Sequence, residues 1–476
     1  MIEEKTQAEI LKDQLSYVIK NAWEQSEDEV GKAFDLCESY KEYLDKGKTE
    51  REFCSFVEKE LLKAGYRDLQ ELFKQGKKLN KGAKVFCINK HKAVAFAVIG
   101  EKPLVEGINM VGAHIDAPRL DIKQNPLYED SGLVLLKTHY YGGIKKYQWV
   151  TIPYSLHGIV VKADGTSIEV CIGEDDNDPI FTITDLLPHL AQEQMQKKAT
   201  DAVTGEGLNI LLGSRPYNDK KVKEKVKLNI LKILNEKYGI VEEDFLSAEL
   251  EAVPAFKARD IGLDRSMIGA YGQDDRVCSF TCVKAMIDIN PSEKTALCIL
   301  TDKEEIGSVG NTGAQSNFLK SFISKIIYLT SENYSDVLLN QCLENSNMLS
   351  ADVNPAVDPN YADVYDKKNA SYMGNGVVVQ KYTGSRGKYD ASDANAEYMG
   401  MIRKLFNENQ IVWHTAELGK VDQGGGGTIA QYVANLGVEV LDCGVPILSM
   451  HAPIEVTSKI DIYMFYKAMK VFLENK

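Results

Sequence analysis

The spacing of apolar side chains changes as the chain proceeds. Over the first 75 residues apolar positions recur at helical intervals, and in TEREFCSFVEKELLKAG the residues Thr49 and Glu52 fit a capping box with Gly65 as the stop. From residue 84 the period shortens: KVFCINK, AVAFAVIG and GINMVGAHID are β-rich runs separated by turn residues, as expected of strands entering a sheet. Between about 124 and 258 the character differs, with GLVLLKTHYY, a hairpin turning at Asp164 and Gly165, and helices predicted around 184–198 and 219–237. From 259 onward strands and helices alternate through TALCILTD, SNFLKSFISKIIYL, NSNMLSADV, GVVVQKY, DANAEYMGMIRKLF, IVWHTAEL and VEVLDCG to a final helix.

Such alternation predicts an α/β fold: a doubly wound, mainly parallel sheet flanked by helices. The middle block interrupts it. A β-rich domain over 124–258 is therefore expected inside a discontinuous one made of 1–123 and 259–476.

In an open α/β sheet, binding groups collect just beyond the carboxyl ends of the strands. Five predicted segment ends carry suitable chemistry. INMVGAHIDAPRL ends in His114 and Asp116, which point the same way on an extended segment, so the carboxylate can orient the imidazole. GAYGQDDRVCSF places Asp274 and Asp275 at a helix start, where acids commonly only cap. ALCILTDKEEIGSVG delivers Glu304 and Glu305, a pair able to divide metal binding from proton transfer. NSNMLSADVNPAVDPN offers Asp352 and EVLDCGVPILSMHAP offers His451.

Each of these has a plain structural explanation when taken alone. Together, two imidazoles and three carboxylates (His114, Asp274, Glu305, Asp352 and His451) gather at one sheet edge, and such mixed donors suit zinc, cobalt or manganese. Five ligands exceed what one open catalytic zinc site uses, so two divalent ions sharing a carboxylate fit the inventory.

Composition narrows the partners. The formal net charge of −13 disfavours nucleic acid and anionic membranes, and no apolar run is long enough to span a bilayer. The acidic, amphipathic N-terminus does not resemble a signal peptide, and nine scattered cysteines without CxxC pairs read as reduced thiols, so a cytoplasmic protein is expected.

The ordered segments GAHIDAPRLDIK, GQDDRVCSF, TDKEEIGSVGNTGA, SADVNPAVDPN, KYTGSRGKY and LDCGVPILSMHAPIEVTSKIDI resemble the aspartyl aminopeptidase family of dinuclear metallopeptidases over nearly the whole chain. The resemblance implies a zinc-peptidase-like domain interrupted by a dimerisation domain, and dimers assembled into a tetrahedral dodecamer. It also implies removal of N-terminal residues from peptides. By the same resemblance Asp274 bridges two metals, His114 and Asp352 complete one site, and Glu305 and His451 the other. Glu304 takes the place of the general base and Asp116 that of the carboxylate orienting His114.

Lys381 stands where the family carries a lysine near the substrate pocket, and His189 where it carries a histidine reaching a neighbouring subunit. The chain also departs from the pattern. YYGGIKKYQWVTIPYSLHG keeps Tyr141, Gly142, Gly143 and Trp149 but lacks the expected arginine, and Glu193 replaces a second histidine; acidic and neutral N-terminal residues both stay open as substrates. The rival readings are a carboxypeptidase or amide deacylase on the same centre, and a non-catalytic peptide-binding or assembly protein. Glu304 beside Glu305 argues against the last, because binding alone needs no base.

Overall fold

The computed structural model describes residues 5–475. Helices Gln7–Leu15, Glu27–Lys46, Glu50–Lys63 and Leu69–Lys74 form where apolar residues recur at helical spacing. The third opens on the anticipated capping box: Thr49 Oγ1 accepts the Glu52 N–H, and Glu52 Oε2 accepts the Thr49 N–H, both at 3.2 Å.

A nine-stranded sheet follows, ordered Arg67–Asp68, Lys84–Asn89, Ala93–Val98, Thr295–Thr301, Ile108–His114, Asn347–Ala351, Glu439–Gly444, Val377–Gln380 and Trp413–Thr415. Five of its eight pairings are parallel, including all those at its centre. Helices cover both faces, so the central strands meet little water on either side and read as nearly unbroken apolar runs. In Thr295–Thr301, Ala296, Cys298 and Leu300 pack with helices Glu27–Lys46, Gln273–Asp288 and Lys459–Leu473. The alternate residues Leu297 and Ile299 pack with Phe318–Thr330 and Asp336–Glu344. Period-two side-chain alternation thus divides one strand between two cores.

A second, six-stranded sheet is antiparallel, ordered Ser167–Ile172, Tyr154–Val161, Ala248–Pro254, Arg119–Asp130, Leu133–Tyr141 and Ile210–Gly213, with its own core around Trp149, Tyr154 and Ile210. Its hairpin turns at Asp164 and Gly165, where φ is +84° at the glycine. The helix expected over 219–237 is Lys225–Tyr238, whereas the one expected around 184–198 contracts to Gln192–Met195. Pro188 cannot donate to a helical ladder, and residues 184–190 are exposed throughout, leaving no face to bury.

A five-stranded sheet of Arg259–Ile261, Met267–Ala270, Glu455–Ser458, Pro446–Leu448 and Asn354–Pro355 gathers strands from distant parts of the chain and carries the approach to Asp274 and His451. Eight of the nine cysteines are buried and Cys171 is exposed; all nine are free thiols. Among the described residues, no helix is long and apolar enough to cross a membrane.

Candidate metal centre

Three neighbouring parallel strands deliver most of the chemistry. Ile108–His114 pairs with Thr295–Thr301 in a register that sets Thr301 beside His114, and Asn347–Ala351 lies along its other side with Ser350 beside Gly112. Because they run the same way, His114, the turn Glu304–Ile306 and Asp352 all emerge at one edge. The small sheet supplies the rest: Met267–Ala270 leads to Asp274, whose φ and ψ of −77° and 107° are non-helical, so the regular helix begins beyond it.

Asp274 lies between two imidazoles. Its Oδ1 is 3.3 Å from His114 Nε2 and its Oδ2 is 3.2 Å from His451 Nε2. Asp352 Oδ1 stands 3.9 Å from His114 Nε2, and Glu305 Oε2 stands 3.5 Å from His451 Nε2. Two groups able to hold a cation result, His114–Asp274–Asp352 and Asp274–Glu305–His451, with Asp274 common to both. Glu304 belongs to neither, yet its Oε2 is 3.9 Å from His114 Nε2.

The outward ring nitrogens hold these imidazoles in place. His451 Nδ1 donates to the Gly143 carbonyl at 2.7 Å, and His114 Nδ1 donates to the Asp116 carbonyl at 3.0 Å. Each Nε2 lone pair is thereby left for the centre. The Asp116 carboxylate, 3.4 Å from the same Nδ1, does further work: its Oδ1 accepts the Glu304 N–H at 3.1 Å, and its Oδ2 accepts the Glu305 N–H at 3.2 Å and the Tyr141 hydroxyl at 2.8 Å. One side chain fixes the backbone of both glutamates.

The donor set fits divalent cations of the zinc type. His114 Nε2 and Glu305 Oε1 are buried without a hydrogen-bond partner, a costly state unless they serve as ligands. Protonation tells the same story. Burial opposes charge on both imidazoles, but Asp116 and Asp274 hold His114 well above its ordinary pKa, and Asp274 and Glu305 bring His451 to about 10. Burial pushes Glu304 up to about 7, with Asp116 and Asp274 adding to it, and pushes Glu305 and Asp352 well above the usual carboxylate range. Asp274 goes the other way: burial opposes its charge, but the two histidines hold it below that range. Protons here neutralise crowded carboxylates, and divalent cations would replace them.

Close packing restricts the neighbouring loop. Gly142 has φ of +75°, and a β-carbon there would come within 3.2 Å of Glu305 Oε2. Sequence reasoning overlooked Glu455, whose Oε1 accepts the His451 N–H at 2.7 Å and whose Oε2 accepts the Asp274 N–H at 3.0 Å. It also overlooked Arg119, buried 3.9 Å from the Tyr141 ring and paired with Glu251 at 3.1 Å.

Two expected residues stand apart. Lys381 pairs with Asp393 and lines a cavity of about 1050 Å³ with Tyr17, Arg403 and Trp413, and none of the residues clustered around Asp274 lines that cavity. His189 is exposed in the segment before Gln192–Met195, and no described contact links it to the cluster.

A family model described as Aminopeptidase I zinc metalloprotease (M18) matches residues 43–473. The chain belongs to the M18 family. A probable M18 family aminopeptidase 1 of Clostridium acetobutylicum is 52% identical over 457 residues, spanning 96% of this chain and 98% of that one. The crystal structure of an M18-family aminopeptidase from Thermotoga maritima matches with a TM-score of 0.92 at 44% identity, covering 97% of this chain and all of that one. Aminopeptidase I from Clostridium acetobutylicum matches with a TM-score of 0.91 at 49% identity. Yeast aminopeptidase 1, 21% identical with a TM-score of 0.74, shares the fold. The M18 protein described here is accordingly an aminopeptidase of the zinc metallopeptidase class, and the carboxypeptidase, deacylase and non-catalytic readings fall away.

Proposed function

We propose that this aminopeptidase works with two divalent cations, zinc first among them, held by His114 and Asp352 on one side, Glu305 and His451 on the other, and Asp274 between. The observation that carries this reading is the sharing of Asp274 by two three-residue groups, with Glu304 beside both and in neither. Bound there, the cations would polarise the scissile carbonyl and make a neighbouring water more acidic. Glu304 accepts the proton of the attacking water and returns it to the leaving amine. Asp116 keeps that carboxylate in place through the Glu304 N–H and steadies His114 from behind.

The same proposal takes 124–258 as the inserted dimerisation domain and the protein as a cytoplasmic homo-oligomer, up to the dodecamer. In support, the segment around His189 exposes Leu186, Leu190 and Met195, an apolar stretch suited to a second copy, which His189 would then approach. Lys381 is proposed to favour acidic N-terminal residues, provided substrate competes with Asp393 for its ammonium.

The test is hydrolysis of aminoacyl substrates and their N-blocked counterparts by protein stripped with chelator and reloaded with zinc, cobalt or manganese. Metal-dependent cleavage confined to free N-termini is expected. Activity surviving complete removal of metal would refute the proposal, and an Asp-to-Leu rate ratio unchanged in Lys381→Ala would dismiss the role of that lysine.

A further inference from the structure

A second convergence of metal-ligating side chains lies away from Asp274, where the first helices meet the antiparallel sheet. Glu52, His157 and Cys171 come from three different elements: helix Glu50–Lys63, strand Tyr154–Val161 and edge strand Ser167–Ile172. His157 and Cys171 are directly opposed across the antiparallel pair, which places their side chains on one face. One donor atom from each of the three residues falls within 4.8 Å of the others. They line a cavity of about 560 Å³.

Each side chain is preset. Glu52 spends Oε2 on its capping box, which leaves Oε1 facing His157 Nδ1 at 2.7 Å. His157, 2% exposed, is braced through Nε2 by Ser155 Oγ at 2.9 Å and Glu174 Oε1 at 3.1 Å. That is the carboxylate support which metal-binding imidazoles use to fix their tautomer. Glu174 is itself paired with Lys48 at 2.6 Å, which keeps it as a brace and out of the ligand set. Cys171 is the exposed thiol among the nine, and it sits on an edge strand where its side chain can close on an ion.

We propose that Glu52, His157 and Cys171 form a separate, sulfur-containing site for a borderline-soft divalent cation of the zinc class, completed by water. A thiolate, an imidazole and a carboxylate suit zinc or cobalt and suit magnesium or calcium poorly. Tetrahedral zinc bonds of roughly 2.0–2.3 Å hold ligand atoms about 3.5 Å apart, so Glu52 Oε1 and His157 Nδ1, 2.7 Å apart here, must separate slightly while the Cys171 sulfur closes in from within 4.8 Å. Binding releases the thiol proton and the imidazolium proton, and the ion gains a thiolate and a neutral ring. The bound ion would clip helix Glu50–Lys63 to the antiparallel sheet.

Sulfur makes the test specific, because neither of the two ligand groups that share Asp274 contains a cysteine. Cobalt(II) titrated into the chelator-stripped full chain should produce a near-ultraviolet thiolate-to-cobalt charge-transfer band whose final amplitude corresponds to one thiolate per chain. Cys171→Ser, an exposed substitution that spares the fold, should abolish the band and lower bound cobalt by one equivalent while peptide hydrolysis stays unchanged. Absence of the band in the wild-type protein, or its persistence in Cys171→Ser, would overturn the proposal.

Discussion

Replacing Glu304 by glutamine removes one titratable oxygen and almost nothing else. The backbone N–H that ties residue 304 to Asp116 Oδ1 at 3.1 Å is untouched, and the side chain belongs to neither group that shares Asp274. Metal content and thermal stability should therefore match the wild type. What is lost is proton transfer by a positioned carboxylate, which contributes typically about 10²- to 10⁴-fold. That corresponds to roughly 3–5 kcal/mol of transition-state stabilisation. Glutamine of the same shape leaves substrate binding in place, so the loss should fall on kcat, with KM little changed. The assay is steady-state hydrolysis of an aminoacyl anilide by zinc-loaded protein, with metal quantified on the same sample. A kcat within tenfold of wild type, at equal metal content, would refute Glu304 as the base.

Other perturbations follow from the same geometry. Tyr141→Phe takes one donor from Asp116, a loss of about 1.5–3 kcal/mol for a hydrogen bond to a charged group. It should lower kcat/KM by about 10- to 100-fold without loss of metal, and an unchanged kcat/KM would show that Asp116 is held well enough without it. Asp442 is buried, which pushes its pKa up to about 7 although its Oδ1 accepts the Thr428 hydroxyl at 2.8 Å. A carboxyl whose pKa is raised on folding binds protons more tightly in the native state. Stability therefore falls as pH rises from about 4 to about 7 and levels off above, by a few kcal/mol at most. Asp442→Asn should remove that fall, read as the difference between variant and wild-type denaturant midpoints on stripped protein at pH 5 and pH 8; a constant difference would contradict the reasoning. Phe280 is fully buried with ring centroids 5.1 Å from Tyr40 and 4.8 Å from Tyr43, so Phe280→Ala should cost about 3–5 kcal/mol in denaturant unfolding. A cost below about 1 kcal/mol would mean that the core collapses into the space.

The elements that the sequence made legible are those whose chemistry sits at the end of a long apolar run. His114, Glu304, Glu305 and Asp352 follow buried strands, and once the strands are parallel and adjacent their ends must meet. Asp274 and His451 were legible as residue types. Their convergence depends on a small sheet in which Ala270 pairs with Glu455, a partnership across nearly two hundred residues that no local period records. Glu455 was missed for the same reason: four positions after His451 it reads as an ordinary strand residue, and only the fold turns its carboxylate toward two backbone N–H groups.

Arg119 escaped because its partners Tyr141 and Glu251 lie in other strands. The strand Arg119–Asp130 itself was unread, since its polar residues and the register shift between Ile122 and Leu127 break the alternation. The helix over 184–198 failed on tertiary grounds, having no core to pack against.

The most direct test of the shared-aspartate centre is anomalous diffraction from crystals of the zinc-loaded protein, collected on both sides of the zinc absorption edge. Two peaks should flank Asp274, one within bonding distance of His114 and Asp352 and the other within bonding distance of Glu305 and His451. A single peak there, or zinc bound without Asp274, would contradict the two-cation centre.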